Sequence, residues 1–250
     1  MEIIDIHAHC GTPTGTLSRR LGTNIKGIVE MLDVFNIKKC IISSVEAIVY
    51  DINNGNREVM EIIKRHNRLK GYVTINANYV EESKALVEEY VVKHGFVGVK
   101  IHPEYSLQPI DSPNTLEILE TVNKLGVPIL VHTYGRGGVS DPAHALKVVE
   151  HYPNLIIILG HMGGDNWRWG IEVATKGDTI YVDPCSCTQP HSDKIKEAKM
   201  RLGVERILFG TDVPFIHPAW ALGMIESADI TSEDREKILY DNARQIWKSI

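Results

Sequence analysis

The sequence has little that would suit a nucleic acid or a membrane. Its 27 Lys and Arg residues and 32 Asp and Glu residues are mixed along the chain and leave a net charge of -5. No basic block therefore favours nucleic acid or an anionic membrane as a partner. No apolar run approaches the ~20 residues of a membrane-spanning helix. The N-terminus does not show the basic, apolar and small-residue pattern of a secretory signal. We therefore expect a cytoplasmic protein.

Cysteine is scarce as well. The chain has four cysteines, Cys10, Cys40, Cys185 and Cys187, which are too few for a disulfide scaffold and which a cytosol would keep reduced. There is no G-x-G-x-x-G after the first apolar run and no Walker motif, which argues against a doubly wound nucleotide-binding fold. The 250 residues, 43% of them hydrophobic, are enough for a single domain spanning 1–250.

What the chain does have is eight evenly spaced apolar runs. Their cores are almost wholly apolar rather than alternating, which indicates strands buried on both faces and hence a parallel sheet. Helical patterns lie between them, and Thr231 with Asp234 predicts a capping box at the last helix. Eight strand–helix units in this length predict a (β/α)8 barrel. The predicted strands are Ile3–His7, Lys39–Val45, Leu69–Ile75, Phe96–Ile101, Val127–His132, Leu155–Leu159, Thr179–Val182 and Ile207–Phe209.

Candidate metal ligands follow these strands. Active sites of such barrels lie at the carboxyl ends of the strands. His7 and His9 are two residues apart on the first strand and so point to the same face, which makes a rigid pair of imidazole ligands. His132 ends the fifth strand, His161 follows the sixth and Asp212 the eighth. Imidazole and carboxylate together suit Zn²⁺ best, and also Mn, Fe, Co or Ni.

Two of these positions have more than one interpretation. His161 could bind a second metal, or it could polarise a substrate carbonyl and donate a proton. Lys100, at the end of the fourth strand, could form a buried ion pair, bind a substrate carboxylate, or be carbamylated into a metal-bridging ligand. His102, Arg136 and His217 are further candidates for substrate contact. Arg19 and Arg20 are weaker ones, since we expect a solvated pair there.

Five motifs taken in order resemble the amidohydrolase superfamily. The resemblance is to its amidohydrolase-related branch, which contains hydrolases and decarboxylases such as aminocarboxymuconate-semialdehyde decarboxylase. The motifs are Asp5-Ile6-His7-Ala8-His9, Gly98-Val99-Lys100-Ile101-His102-Pro103, Val131-His132, Leu159-Gly160-His161-Met162-Gly163 and Gly210-Thr211-Asp212-Val213-Pro214.

The resemblance implies a (β/α)8 barrel and a defined ligand set. Mononuclear members use the residues that correspond here to His7, His9, His132 and Asp212, with His161 assisting catalysis. Binuclear members bridge two metals with a carbamylated lysine at the position of Lys100. We therefore expect one divalent metal, and a second only if Lys100 is carbamylated.

Three functions are compatible with this site. The main expectation is a metal-dependent hydrolase of a small ester, lactone or amide, in which Asp212 handles the proton of an activated water and His161 steadies the oxyanion. The alternative is a non-oxidative decarboxylase of an unsaturated or aromatic carboxylic acid. A third is a catalytically silent ligand-binding barrel. The sequence fixes neither the substrate nor whether the chain forms a homo-oligomer.

Overall fold

The computed structural model describes residues 2–11, 25–185 and 192–248. Arg19, Arg20 and Cys187 lie outside the described residues. Within those ranges, no helix is both long and apolar enough to cross a membrane. Cys10, Cys40 and Cys185 are buried free thiols, as expected for a protein without disulfides.

Seven parallel strands curl into a barrel wall in the order of the sequence, each bonded to the next. Each run is dominated by buried aliphatic residues, which agrees with burial on both faces. The strands are β1 (Ile3–Cys10), β2 (Ile37–Ser44), β3 (Leu69–Ile75), β4 (Gly98–Ile101), β5 (Ile129–His132), β6 (Ile157–Gly160) and β7 (Ile180–Val182).

The predicted eighth strand, Ile207–Phe209, is not a regular strand. Its segment makes one parallel bridge to β7, Val182 with Ile207, and one to β1, Ala8 with Val213. Backbone hydrogen bonds from Ile6 N to Phe209 O (2.9 Å) and from Leu208 N to Val182 O (2.9 Å) still close the barrel. The extended backbone is interrupted because Asp212 has a φ of 61°. The barrel is therefore an eight-position (β/α)8 barrel whose last position is irregular.

Helices follow the strands and cover the outside of the barrel. The capping box is confirmed, because the Thr231 hydroxyl accepts from Asp234 N and the Asp234 carboxylate accepts from Thr231 N. The helices are α1 (Ile25–Val34), α2 (Val45–Val49), α3 (Ile52–Arg65), α4 (Val80–His94), α5 (Pro103–Ser106), α6 (Pro113–Leu125), α7 (His144–His151), α8 (Trp167–Ala174), α9 (Ser192–Leu202), α10 (Pro218–Glu226), α11 (Ser232–Glu236) and α12 (Asn242–Ile246).

The base of the barrel is filled by a separate apolar cluster. Inward side chains from several strands meet Trp247, which follows α12 and whose indole donates to Val97 O at 2.8 Å. Val97 precedes β4, so this cluster lies at the amino ends of the strands. The opposite end, where the strands finish, is left for polar residues. The strand members of the cluster are Ile4, Ile6, Ile41, Tyr72, Leu130, Ile158 and Leu208.

A β-bulge in β1 changes which side chains of the strand face the inside of the barrel. Between Asp5 and Ala8 the strand advances three residues while β2 advances two, from Cys40 to Ile42. One extra residue in one strand reverses which side chains face inward. Ile6 can therefore pack in the basal cluster while its neighbour His7 also contacts groups inside the barrel.

Candidate active site

His7 is held from behind by a carboxylate. Asp183, just after β7, accepts from Nδ1 of His7 at 2.6 Å, and both side chains are fully buried. The Cys185 thiol donates to the same carboxylate at 3.0 Å. With Nδ1 donating, Nε2 of His7 carries the free lone pair, and it lies 3.7 Å from Oδ1 of Asp212 and 3.0 Å from Nζ of Lys100.

His9 is oriented in the same way. Its Nδ1 pairs with the Ser43 hydroxyl at 3.0 Å, and its Nε2 lies 3.1 Å from Oδ1 of Asp212. Asp212 has a positive φ, and its backbone N donates to His7 O at 2.7 Å, which keeps the residue beside β1. His7, His9 and Asp212 thus form a buried group whose ligand atoms all lie within 4.8 Å of one another.

His161 comes from a turn with an unusual backbone. His161 and Met162 have φ values of 64° and 52°, in the left-handed region that non-glycine residues rarely adopt. The turn is packed directly on α8, where a Cβ at Gly170 would overlap the Met162 carbonyl oxygen. Nδ1 of His161 donates to Cys185 O at 3.1 Å, and Nε2 of His161 pairs with Nδ1 of His132 at 3.1 Å.

His132 does not belong to the compact group of His7, His9 and Asp212. It is half-buried, contacts His161, and stacks on His102 with ring centroids 3.8 Å apart and planes 12° apart. The compact ligand group contains three of the four predicted ligands, and His132 borders it through His161. His9, His132 and Asp212 line one cavity of about 410 Å³, and His7 lies behind Asp212.

Burial governs the protonation of the imidazoles. It lowers the pKa of His7 well below its ordinary value, with the nearby Lys100 charge adding to the effect. Burial likewise lowers the pKa of His9, His132 and His161. These rings are therefore neutral at neutral pH, which is the form that ligates metals.

Burial acts in opposite directions on the pKa values of the two charged groups, Asp212 and Lys100. Burial acts to raise the pKa of Asp212, but the hydrogen bond from His9 and the neighbouring His161 and His7 outweigh it, so the pKa lies below its ordinary value. Burial lowers the pKa of Lys100 to about 8, which leaves it an ammonium at neutral pH. The site therefore places a carboxylate and an ammonium on the same buried floor.

Two predicted contact residues lie elsewhere. Arg136 is exposed, and its guanidinium stacks over Trp169 at 4.1 Å. His217 is exposed and caps α10 by accepting from Ala219 N at 3.3 Å. Neither is among the described residues that line the cavity, whereas Lys100 and His102 both are.

The residues that hydrogen-bond to Nδ1 of the candidate ligand histidines were not predicted from the sequence. Asp183 follows the seventh apolar run as Asp212 follows the eighth, so the strand-end rule could have found it. Cys185 was expected only to be reduced, yet its Sγ lies 3.4 Å from Nδ1 of both His7 and His161. Ser43 carries no distinguishing signal, because a serine at a strand end is common.

Comparison with known proteins identifies the family. The family model described as amidohydrolase matches residues 44–248. The chain belongs to the amidohydrolase family. The motifs that suggested the resemblance therefore identified the family correctly.

Several relatives of this amidohydrolase are decarboxylases. The γ-resorcylate decarboxylase of Polaromonas sp. is 25% identical over 240 residues, covering 75% of this chain and 73% of its own. The 2,6-dihydroxybenzoate decarboxylase from Rhizobium has the same fold, with a TM-score of 0.80, 19% identity and coverage of 99% and 98%. A dihydroxybenzoic acid decarboxylase from Polaromonas sp., solved with manganese and 2-nitroresorcinol, gives a TM-score of 0.78, 20% identity and coverage of 99% and 97%.

The donor set of this amidohydrolase fits a divalent metal. His7 and His9 are neutral imidazoles whose Nε2 atoms face the carboxylate of Asp212. Both rings are fixed by hydrogen-bond partners on Nδ1, as metal-binding histidines usually are. His7, His9 and Asp212 would hold the ion, with His132 and His161 on its cavity side. The set does not by itself select among divalent transition metals.

Proposed function

We propose that this amidohydrolase is a metal-dependent, non-oxidative decarboxylase of a small aromatic or unsaturated carboxylic acid. The observation that carries the proposal is the position of Lys100 in the wall of the cavity. Lys100 is buried in β4, one residue before the strand ends, and it is the only lysine or arginine among the described residues that line the cavity. Asp212 on the same floor lowers the cost of burying this ammonium, and a substrate carboxylate in the cavity would pair with it directly. The decarboxylase relatives support this alternative over the hydrolase expectation.

The reaction replaces a carboxylate with a proton. The bond between the carboxylate carbon and the adjacent unsaturated carbon breaks, carbon dioxide leaves, and a proton is added to the unsaturated carbon. A bound divalent metal would supply Lewis-acid stabilisation of negative charge on the substrate oxygens. Lys100 would orient the carboxylate, and His161 or Asp212, which both line the cavity, would deliver the proton.

Manganese is the ion to test first. A structural relative contains manganese, and the His, His, Asp donor set accepts manganese as well as the zinc expected from sequence. With Lys100 as an ammonium, we expect one metal per chain. A second metal would require carbamylated Lys100, and metal stoichiometry of wild type and Lys100→Ala measures this directly.

The experiment is product analysis on manganese-loaded protein. One panel contains ortho-hydroxybenzoic acids, including 2,6-dihydroxybenzoate, and a second contains lactones, esters and amides. We expect release of carbon dioxide from the first panel. Hydrolysis in the second panel without carbon dioxide from the first would overturn the proposal.

A matched pair of lysine variants tests the role of Lys100. Lys100→Met keeps most of the side-chain length without the charge, and we expect it to raise KM for the acid. Lys124→Met is the control, because Lys124 is exposed on α6 and pairs only with Glu120 on the surface. An unchanged KM in Lys100→Met would remove the observation on which the proposal rests.

A further inference from the structure

A buried carboxylate joins the first strand to the segment that carries Asp212. Asp5 lies in β1, and both Asp5 and Thr211 are fully buried. Oδ1 of Asp5 accepts from His7 N at 3.0 Å and from Thr211 N at 3.1 Å, and Oδ2 accepts from the Thr211 hydroxyl at 2.6 Å. One side chain therefore holds the backbone of one candidate ligand, His7, and of the residue directly before another, Asp212.

The Thr211 hydroxyl makes a second hydrogen bond, which spans Asp212. Its proton is donated to Asp5, and its oxygen accepts from Val213 N at 3.1 Å. A bond from a threonine hydroxyl to the N–H two residues on closes a small turn around the residue between them. Asp212 has a φ of 61° inside this turn, a left-handed conformation that non-glycine residues adopt at a cost. The Thr211 hydroxyl therefore stabilises a backbone conformation that Asp212 does not favour by itself.

Backbone pairing closes the barrel on both sides of this turn. Before the turn, Phe209 O accepts from Ile6 N at 2.9 Å, and after it, Val213 O accepts from His9 N at 2.7 Å. Between these two bonds, Thr211 N donates to the carboxylate in β1. None of the backbone bonds involves the Thr211 hydroxyl, so closure of the barrel does not explain why the hydroxyl is there.

The turn packs directly against the first histidine of the site. A Cβ on Gly210 would lie 2.7 Å from Cβ of His7 and 2.7 Å from each carboxylate oxygen of Asp183. Two residues later, Oδ1 of Asp212 lies 3.1 Å from Nε2 of His9 and 3.7 Å from Nε2 of His7. Because the position of a side chain follows the backbone dihedrals of its own residue, a relaxed turn would change these separations.

We propose that Asp5 and Thr211 are positioning residues for the metal site. Their hydrogen bonds hold Asp212 in the conformation in which its carboxylate lies beside the Nε2 atoms of His7 and His9, and neither residue supplies a ligand atom. The inference rests on the divalent metal of the proposed function, but not on the reaction that the metal assists.

A change of the hydroxyl alone tests this. Thr211→Val removes the hydroxyl at nearly constant volume and leaves the flanking backbone bonds in place. We expect it to weaken manganese binding about 10–100-fold, the range for groups that orient metal ligands. Thr211→Ser keeps the hydroxyl and should bind manganese as wild type does. Competition with a chelating dye gives the affinity, and the rise in Tm on adding manganese checks it for each variant against its own metal-free form.

Thr115→Val is the matched control. Thr115 is also fully buried, and its hydroxyl pairs with Ser112 Oγ at 2.9 Å and donates to Pro109 O at 3.2 Å. The control therefore loses the same group with the same number of partners. Thr115 lies in the first turn of α6 and is not among the described residues that line the cavity. We expect a lower Tm without metal and an unchanged manganese affinity.

Two results would overturn the proposal. One is an equal manganese affinity in Thr211→Val and wild type, and the other is an equal loss in Thr115→Val, which would reflect general destabilisation. If Thr211→Val does not fold, Thr211→Ala removes the same hydroxyl and leaves no methyl branches to be accommodated. The same loss of affinity is expected there, and unchanged binding would again overturn the proposal.

Failure of this inference differs from failure of the proposed function. Weaker manganese binding in Thr211→Val, with no carbon dioxide released by wild type from any acid, supports the positioning role and contradicts decarboxylation. Carbon dioxide released by wild type, with full manganese affinity in Thr211→Val, supports decarboxylation and overturns the positioning role.

Discussion

The carboxylate of Asp183 accepts a hydrogen bond from Nδ1 of His7 across 2.6 Å, in a region where both side chains are fully buried. Burial raises the pKa of Asp183 to about 6, which leaves it ionised at neutral pH. The pair fixes the tautomer of His7 and directs Nε2 at Asp212. Asp183 is therefore a positioning residue for the metal site rather than a ligand.

Loss of that carboxylate should weaken metal binding. We expect Asp183→Asn to bind manganese about 10–100-fold more weakly, since rear partners of ligating histidines contribute on that scale. Competition with a chelating dye measures the affinity without any assay of activity. Asp229→Asn, at an exposed surface pair with Lys196, is the control and should bind metal normally. Equal affinities in the two variants would contradict the assignment.

Removing His161 should separate catalysis from metal binding. His161→Asn is expected to lower kcat about 10²–10⁴-fold, the usual contribution of a general acid or base, while the protein retains its metal. Asp212→Asn should lose both, because Asp212 belongs to the compact ligand group. Metal analysis beside product formation provides the comparison. Full turnover by His161→Asn would exclude a role for His161 in proton transfer.

The turn that presents His161 should be sensitive to one glycine. Gly170→Ala would push a methyl group into the Met162 carbonyl, so we expect a loss of about 1–3 kcal/mol in the free energy of unfolding and reduced activity. Gly223→Ala is the matched change in another helix, with no atom near the added methyl. It should gain about 0.5–1 kcal/mol. Denaturant unfolding measures both, and similar values would contradict the packing argument.

Acid should weaken the start of α11. The hydrogen bond from Lys199 lowers the pKa of Asp234 from 3.8 to about 2. A folded-state pKa below the unfolded value stabilises the protein above about pH 4 and loses that effect as the pH falls towards 2. Asp234→Asn should therefore cost about 1 kcal/mol at pH 7 and progressively less in acid. Thermal unfolding of both proteins from pH 7 to pH 3 measures it, and a constant difference would exclude the linkage.

The barrel could be predicted from sequence because its signal is repeated. Seven of the eight apolar runs are strands, and the strand-end rule located His9, Lys100, His132, His161 and Asp212 on one cavity. The eighth run was overestimated since its segment makes only isolated bridges to β7 and β1, although its composition resembles that of a strand. Local composition does not report how many ladder hydrogen bonds a segment makes.

The remaining features depend on contacts between distant residues. The extra residue in β1 is visible only against its partner β2, so alternation alone could not show that Ile6 and His7 both act inside the barrel. The stacking of Arg136 on Trp169 likewise depends on loops whose paths no periodic pattern encodes. Loop residues chosen for their charge alone are thus the least secure part of a prediction of this kind.

Trp247 has a consequence for how the protein is made. Its indole ring covers a basal cluster built from several strands, the first of which begins at Ile3. These first strands therefore leave the ribosome long before the residue that covers them. Without Trp247, a barrel formed by the earlier residues would leave the side chains of Ile4, Ile41 and Leu130 without this cover at its base. Chains interrupted before α12 during synthesis would therefore present an aliphatic surface that chaperones recognise.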